Sequence, residues 1–194
     1  MVEPSPWRNV WRIAIGSLAF ALLPALAADD LDALMNALAH APHGRAAFIE
    51  RQYLAVLDRP LESSGELLYV APDHLEKRTL KPKPSSLVVV GEAVTVQRGS
   101  RKHVMQLRDL PQAAPFIDSI RATLAGDRVT LERHFQVQMR GTVQDWSLVL
   151  TPLTAQTSGV AQISLHGAGG DLKSVDIRQA DRDRSELLIT PLPP

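Results

Sequence analysis

Apolar and polar residues alternate one by one over much of this chain, and this period constrains its fold more than any other feature. Trp146, Leu148 and Leu150 alternate with polar or smaller residues up to Pro152, and residues 129–139 follow a similar pattern. Successive side chains of a β-strand point to opposite faces of a sheet, so this pattern predicts half-buried strands. The chain is therefore predicted to be mainly β.

Further strands are predicted from the same period and from the turn residues between them. A hairpin is expected across Gly91 and Glu92, and turns are expected at residues 59–60, 63–65, 167–170 and 181–183. The expected strands cover residues 45–57, 67–71, 75–81, 87–90, 94–96, 101–107, 161–165, 172–177 and 185–189.

Two segments are predicted to be amphipathic helices. One is capped by Asp29 or Asp30 and has an apolar face through Leu38, and the other covers residues 115–124 and ends at Gly126. Helices without a helical partner cover a sheet, and many alternating strands close into a barrel or pack as a sandwich. The space between helices and sheet is either a packed core or a pocket.

The N-terminus has the three-part pattern of a secretory signal peptide. Arg8 and Arg12 precede an uncharged apolar run over residues 13–26, and Ala25, Leu26 and Ala27 form a small-residue cleavage site. We expect a signal peptide over residues 1–27 and one exported domain over residues 28–194. The alternative is an uncleaved anchor, although the run is shorter than the about 20 residues of a membrane span.

Composition excludes several classes of function. The chain has no cysteine, so disulfides, thiolate zinc sites, thiol nucleophiles and attached lipid are excluded. It has 21 basic and 21 acidic residues, a balance that argues against a nucleic-acid partner. No nucleophile elbow, phosphate-binding loop, dinucleotide fingerprint or catalytic trio is recognisable. We expect no enzyme, no cofactor and no metal.

The order of several landmarks resembles the LolA-type periplasmic carriers of outer-membrane lipoproteins. These proteins have an aromatic residue in the first strand, a glycine-led strand ending at a proline, and an apolar residue shortly after that proline. A further proline, a hairpin with glycine and a later strand ending in Thr-Pro follow. The corresponding residues here are Phe48, Gly65, Pro72, Leu75, Pro82 or Pro84, Gly91, Thr151 and Pro152.

The resemblance implies an open antiparallel β-barrel covered by amphipathic lid helices, without catalysis. Such a protein holds the acyl chains of a lipoprotein during its passage through the periplasm. Each buried methylene gains about 0.8 kcal/mol, so acyl chains do not cross water unaided. The resemblance also implies a monomer that takes cargo from an inner-membrane donor and delivers it to an outer-membrane acceptor.

The resemblance further implies which residues contact the cargo. Leu67, Tyr69 and Leu75 fall where the family lines its cavity. The lid face and the opposite wall complete a predicted acyl site of Phe48, Leu67, Tyr69, Leu75, Phe116, Ile120, Leu124, Trp146, Leu148 and Leu150. For each of these residues, packing in the core is the alternative.

Two positions depart from the family pattern. Ala71 stands where a basic residue often latches the lid, and Lys77 stands where an aromatic residue is common. Lys77 and Arg78 are therefore candidates for the lid latch or for contacts with a cargo headgroup. The cargo is then a lipoprotein or another acylated molecule.

Two other functions are compatible with the same residues. A lipid-sensing or adaptor domain would bind an envelope protein without transporting cargo. An enzyme acting on lipids would need a catalytic cluster in the pocket, which the sequence does not display.

Overall fold

A computed structural model describes residues 25–41, 44–111, 113–154 and 159–193, with the side chains of residues 25–29 excepted. The helices are α1 (Ala25–Ala39), α2 (Ala114–Leu124) and α3 (Arg128–His134). The strands are β1 (Arg45–Tyr53), β2 (Leu61–Val70), β3 (His74–Lys81), β4 (Ser85–Val90), β5 (Ala93–Arg98), β6 (Arg101–Gln106), β7 (Phe135–Thr142), β8 (Asp145–Pro152), β9 (Val160–Ala168), β10 (Asp171–Gln179) and β11 (Arg184–Pro191).

All the strands belong to one antiparallel sheet that does not close. Their order is β6-β5-β4-β3-β2-β1-β11-β10-β9-β8-β7, so β6 and β7 are the two edges. Strands β1–β6 form one half of the sheet, and the helices α2 and α3 connect β6 to β7. Strands β7–β11 form the other half, and β11 pairs with β1. The predicted mainly β, open antiparallel fold covered by helices is confirmed.

The helices pack on one face of this sheet, here called the inner face. α1 contacts β7 and α2, and α3 contacts α2 and β7. The predicted apolar face of α1 is buried in the main core, which is composed of Leu31, Leu34, Met35, Leu38, Ala122, Leu131, Phe135, Trp146, Leu148, Leu150, Val160, Ile163, Leu165 and Val175. A second cluster joins α2 to the other half of the sheet through Val89, Val94, Leu107 and Ile117.

One predicted strand is half wrong, because residues 128–134 form α3 and β7 begins only at Phe135. Asp127 caps this helix: its side chain accepts a bond of 3.0 Å from the backbone N–H of Thr130. Leu131 is buried and Val129 is exposed. Residues two apart share a face in a strand but not in a helix, so this difference in exposure agrees with a helix. This cap satisfies a backbone N–H that the first turn of a helix leaves without a partner. The alternation of apolar and polar residues gave no sign of the cap.

Two other local predictions are corrected. The turn expected at residues 63–65 lies inside β2, where Gly65 is required because a Cβ atom there would come 1.9 Å from the carbonyl oxygen of Arg78. α1 begins at Ala25, ahead of the cap expected at Asp29 or Asp30. Most of the expected signal peptide lies outside the described residues, so its cleavage stays a prediction.

Candidate functional site

An apolar cavity of about 270 Å³ lies between α2 and the inner face of the sheet. The inner face of the sheet forms one wall of the cavity, and α2 covers it. Its apolar lining comes from both halves of the sheet, from the end of α1 and from α2, through Leu38, Leu67, Tyr69, Leu75, Leu87, Val89, Phe116, Ile117, Ile120, Leu124, Leu172, Val175, Ile177, Leu187 and Ile189.

Six of the predicted site residues line this cavity. Leu67, Tyr69 and Leu75 reach it from the sheet, and the helical residues Phe116, Ile120 and Leu124 reach it from α2. The side chain of Lys77 lines it as well. Their contact with a cargo remains a prediction.

The other predicted residues lie elsewhere. Trp146, Leu148 and Leu150 do not line the cavity, because β8 is the strand next to the β7 edge and packs into the main core. The indole N–H of Trp146 donates to the carbonyl of Gly169 at 2.9 Å. Phe48 is buried beneath Lys77, whose ammonium lies 5.0 Å from the ring centroid.

One end of the cavity is polar, because Glu50 lies on the inner face of β1. Its carboxylate accepts from Lys77 Nζ at 2.6 Å and from the hydroxyls of Ser63 and Ser185 at 3.0 and 3.1 Å. Burial acts to raise the pKa of Glu50, but the charge and hydrogen bond of Lys77 and the two serine bonds outweigh it and leave the pKa lowered. Glu50 was not predicted as a site residue, although its position two residues after Phe48 in β1 places both side chains on the same face.

A lowered pKa at Glu50 predicts an acid-sensitive contribution to stability. The folded state holds the proton less tightly than the unfolded state, so this contribution is present above the ordinary pKa of 4.5 and is lost as pH falls below it. We expect the free energy of unfolding of wild type to fall more steeply below that pH than that of Glu50→Gln. Urea titrations at a series of pH values measure the difference, and parallel curves would contradict the prediction.

Neither candidate latch contacts the lid in the described part of the chain. Lys77 is held by Glu50, and Arg78 is exposed and pairs with Glu76 at 2.8 Å. Instead Arg121 of α2 donates from Nη1 to the carbonyl of Gly91 in the β4–β5 turn at 2.9 Å. This contact joins the lid to the sheet. Arg121 was not predicted, because only the apolar stripe of α2 carries a signal in the sequence.

Removal of the Arg121 contact is expected to loosen the lid. A hydrogen bond to a charged group contributes about 1.5 kcal/mol or more, so α2 amides of Arg121→Gln should exchange about tenfold faster with solvent. Hydrogen exchange read by mass spectrometry measures this rate. Asp118→Asn is the matched control, because Asp118 lies 3.8 Å from Arg121 and does not contact Gly91. Equal exchange in wild type and Arg121→Gln would contradict a latch.

The described residues contain no group of three or more metal-ligating side chains placed to hold an ion. In the same residues no helix is long and apolar enough to cross a membrane. The arrangement can enclose an apolar group beside the Glu50–Lys77 ion pair.

Comparison with known proteins decides the family. The family model described as "Outer membrane lipoprotein carrier protein LolA-like" matches residues 24–191. The chain belongs to this LolA-like family. An "Outer-membrane lipoprotein carrier protein" of Dechloromonas aromatica (strain RCB) is 26% identical over 170 residues, which are 87% of this chain and 80% of that protein.

The solved structures that match this chain have lower sequence identity to it. A LolA superfamily protein from Nitrosomonas europaea matches with a TM-score of 0.46 and 9% identity, over 87% of this chain and 94% of that one. MucB in the MucA/MucB complex of Pseudomonas aeruginosa matches with a TM-score of 0.42 and 13% identity, over 88% of this chain and 59% of that one. Neither adds to the family assignment of this LolA-like protein.

Proposed function

We propose that this LolA-like protein is a periplasmic carrier that shields the acyl chains of a lipoprotein, or of another acylated cargo, between the inner and outer membranes. The observation that carries the proposal is the cavity beneath α2. Its lining is mainly aliphatic and aromatic, with charged side chains at the Glu50–Lys77 end and at Arg45, Glu76 and Asp171. Acyl chains gain about 0.8 kcal/mol per methylene on entering such a lining.

The size of the cavity supports a lid that moves. Its volume of about 270 Å³ is slightly below the roughly 300 Å³ at which sites for small molecules begin. A cargo with several acyl chains then requires α2 to separate from the sheet. α2 is attached by the Arg121 bond and the cluster around Ile117, which a bound chain can replace with apolar contacts of its own.

The carrier acts by binding and release, without a chemical step. We infer that it is exported with a signal peptide cleaved near Ala27 and that residues 28–194 form the working monomer. An inner-membrane protein supplies the cargo and an outer-membrane protein receives it. The identity of 26% with a lipoprotein carrier supports this class of cargo.

Native mass spectrometry of the protein purified from its own periplasm tests the proposal. We expect a stoichiometric adduct that releases an acylated molecule on extraction, and delipidated protein should take up a triacylated lipopeptide. A bare mass together with no uptake would overturn the carrier and favour a domain that binds an envelope protein.

A further inference from the structure

Three successive turns project from one end of the sheet. They are the β1–β2 loop (residues 54–60), the β3–β4 turn (residues 82–84) and the β5–β6 turn at Gly99 and Ser100. The strands are antiparallel, so alternate turns share an end, and two strand spacings separate them by about 10 Å. Each turn presents side chains to solvent.

Two of these turns are strongly basic. Residues 76–108 contain eight Lys and Arg residues and two acidic residues, whereas residues 25–75 contain three basic and eight acidic residues. We call the exposed cations at the two turns the basic rim: Lys81, Lys83, Arg98, Arg101 and Lys102. Among the described residues, no carboxylate lies within ion-pair distance of the basic rim.

The register brings two of these cations face to face. Arg98 and Arg101 are directly opposed in the β5–β6 ladder. Like charges at opposed positions destabilise a sheet unless an anion offsets them. The hairpin therefore gains from an anionic surface placed against it.

The third turn carries two exposed aliphatic side chains beside the charged Asp58 and Arg59, and hydrogen bonds hold its backbone in place. Val56 is 87% exposed and Leu57 is 45% exposed. The loop is fixed by the N–H of Ala55, which donates to Asp183 Oδ1 at 2.8 Å, and by the N–H of Leu57, which donates to the carbonyl of Leu54 at 2.9 Å. Two fixed, exposed aliphatic side chains therefore project beside the basic rim.

We propose that the basic rim and the β1–β2 loop dock this protein on an anionic phospholipid surface. Cations attract the headgroup phosphates, and adjacent aliphatic side chains insert at the acyl boundary. An alternative role for these cations is to prevent edge-to-edge pairing of sheets, as cations on edge strands do. This role does not explain Lys81, Lys83 or Val56, because none of them lies on the edge strand. An acidic protein would satisfy the cations and leave the two aliphatic side chains of the loop in water.

The surface is also suitably placed relative to the cavity. The Glu50–Lys77 end of the cavity includes Ser185, the second residue of β11. Ser185 therefore lies near the end of the sheet from which the three turns project. Docking does not depend on the proposed cargo, since the surface is formed without one. A failure of docking and a failure of cargo uptake are therefore separate results.

Co-sedimentation of the cargo-free protein with vesicles tests the proposal. We expect binding to vesicles of phosphatidylglycerol and phosphatidylcholine in equal parts, and none to phosphatidylcholine alone. Each cation near an anionic surface changes affinity roughly fivefold, so Arg101→Gln with Lys102→Gln should weaken binding roughly 25-fold. Binding should also weaken as salt is added.

Matched controls separate this surface from net charge and from apolar exposure in general. Arg140→Gln with Lys173→Gln removes the same charge at the opposite end of the sheet and should leave binding unchanged. Val56→Asp should weaken binding about tenfold, whereas Val70→Asp, at the far end of β2, should not. Thermal melts confirm that each variant is folded.

Three outcomes would overturn the proposal. They are equal binding to both kinds of vesicle, equal loss in the two charge-removal variants, and binding to soluble polyglutamate without binding to vesicles.

Discussion

Leu75→Glu is expected to reduce uptake of a fluorescent acyl probe by about 100-fold while the protein stays folded. Leu75 lines the cavity from β3, next to Val89 of the neighbouring strand. A carboxylate there is stripped of water when an acyl chain enters, which costs about 3 kcal/mol, or about 100-fold in affinity. Fluorescence titration of delipidated protein measures the effect.

Leu80→Glu is the matched control for this variant. Leu80 lies on the same strand, is 50% exposed, and does not line the cavity. Its uptake should equal that of wild type. Because Lys77 lies two residues from Leu75, Leu75→Gln is also measured, since it cannot form a new ion pair. Normal uptake by both Leu75 variants would contradict the placement of the acyl site.

Leu148→Ala is expected to lower the free energy of unfolding by about 3 kcal/mol and to leave the affinity for cargo unchanged. Leu148 is 0% exposed, lies in the main core and does not itself line the cavity. The lost methyl groups leave a void that neighbours on β7 and β9 fill only in part. Urea unfolding measures stability, and the acyl-probe titration is carried out under folding conditions.

Leu188→Ala is the control for the core substitution, because Leu188 is 53% exposed on the outer face. Its stability should change by less than about 0.5 kcal/mol. Weakened probe affinity in folded Leu148→Ala would place the opposite wall of the site at β8, as the resemblance implied.

Much of the sheet could be predicted because its signal is local. Alternation follows from the pleat, and the hairpin at Gly91 follows from turn chemistry. α3 could not be recovered in that way, since Leu131 and Phe135 fit both a strand and a helix, and the deciding Asp127 cap is a single side chain. Gly65 was misread because a close backbone approach and a turn require the same residue.

The cavity was less predictable than the sheet. Leu75 and Leu148 belong to similar alternating segments, yet one lines a void and the other is tightly packed. The difference arises from the neighbours that each strand acquires, because β8 lies near an edge covered by α1 and α3 while β3 lies under α2. Such neighbours depend on the order of strands, which no local pattern encodes.

The two partners of the hydrogen bond between Arg121 and Gly91 differ in how readily a substitution removes them. The donor is a side chain that one codon change removes, whereas the acceptor is a main-chain carbonyl that every residue type supplies. Replacing Gly91, whose φ of 55° favours glycine, would strain the turn without deleting the acceptor. Variants that retune how readily α2 leaves the sheet are therefore expected to accumulate at position 121 rather than in the β4–β5 turn.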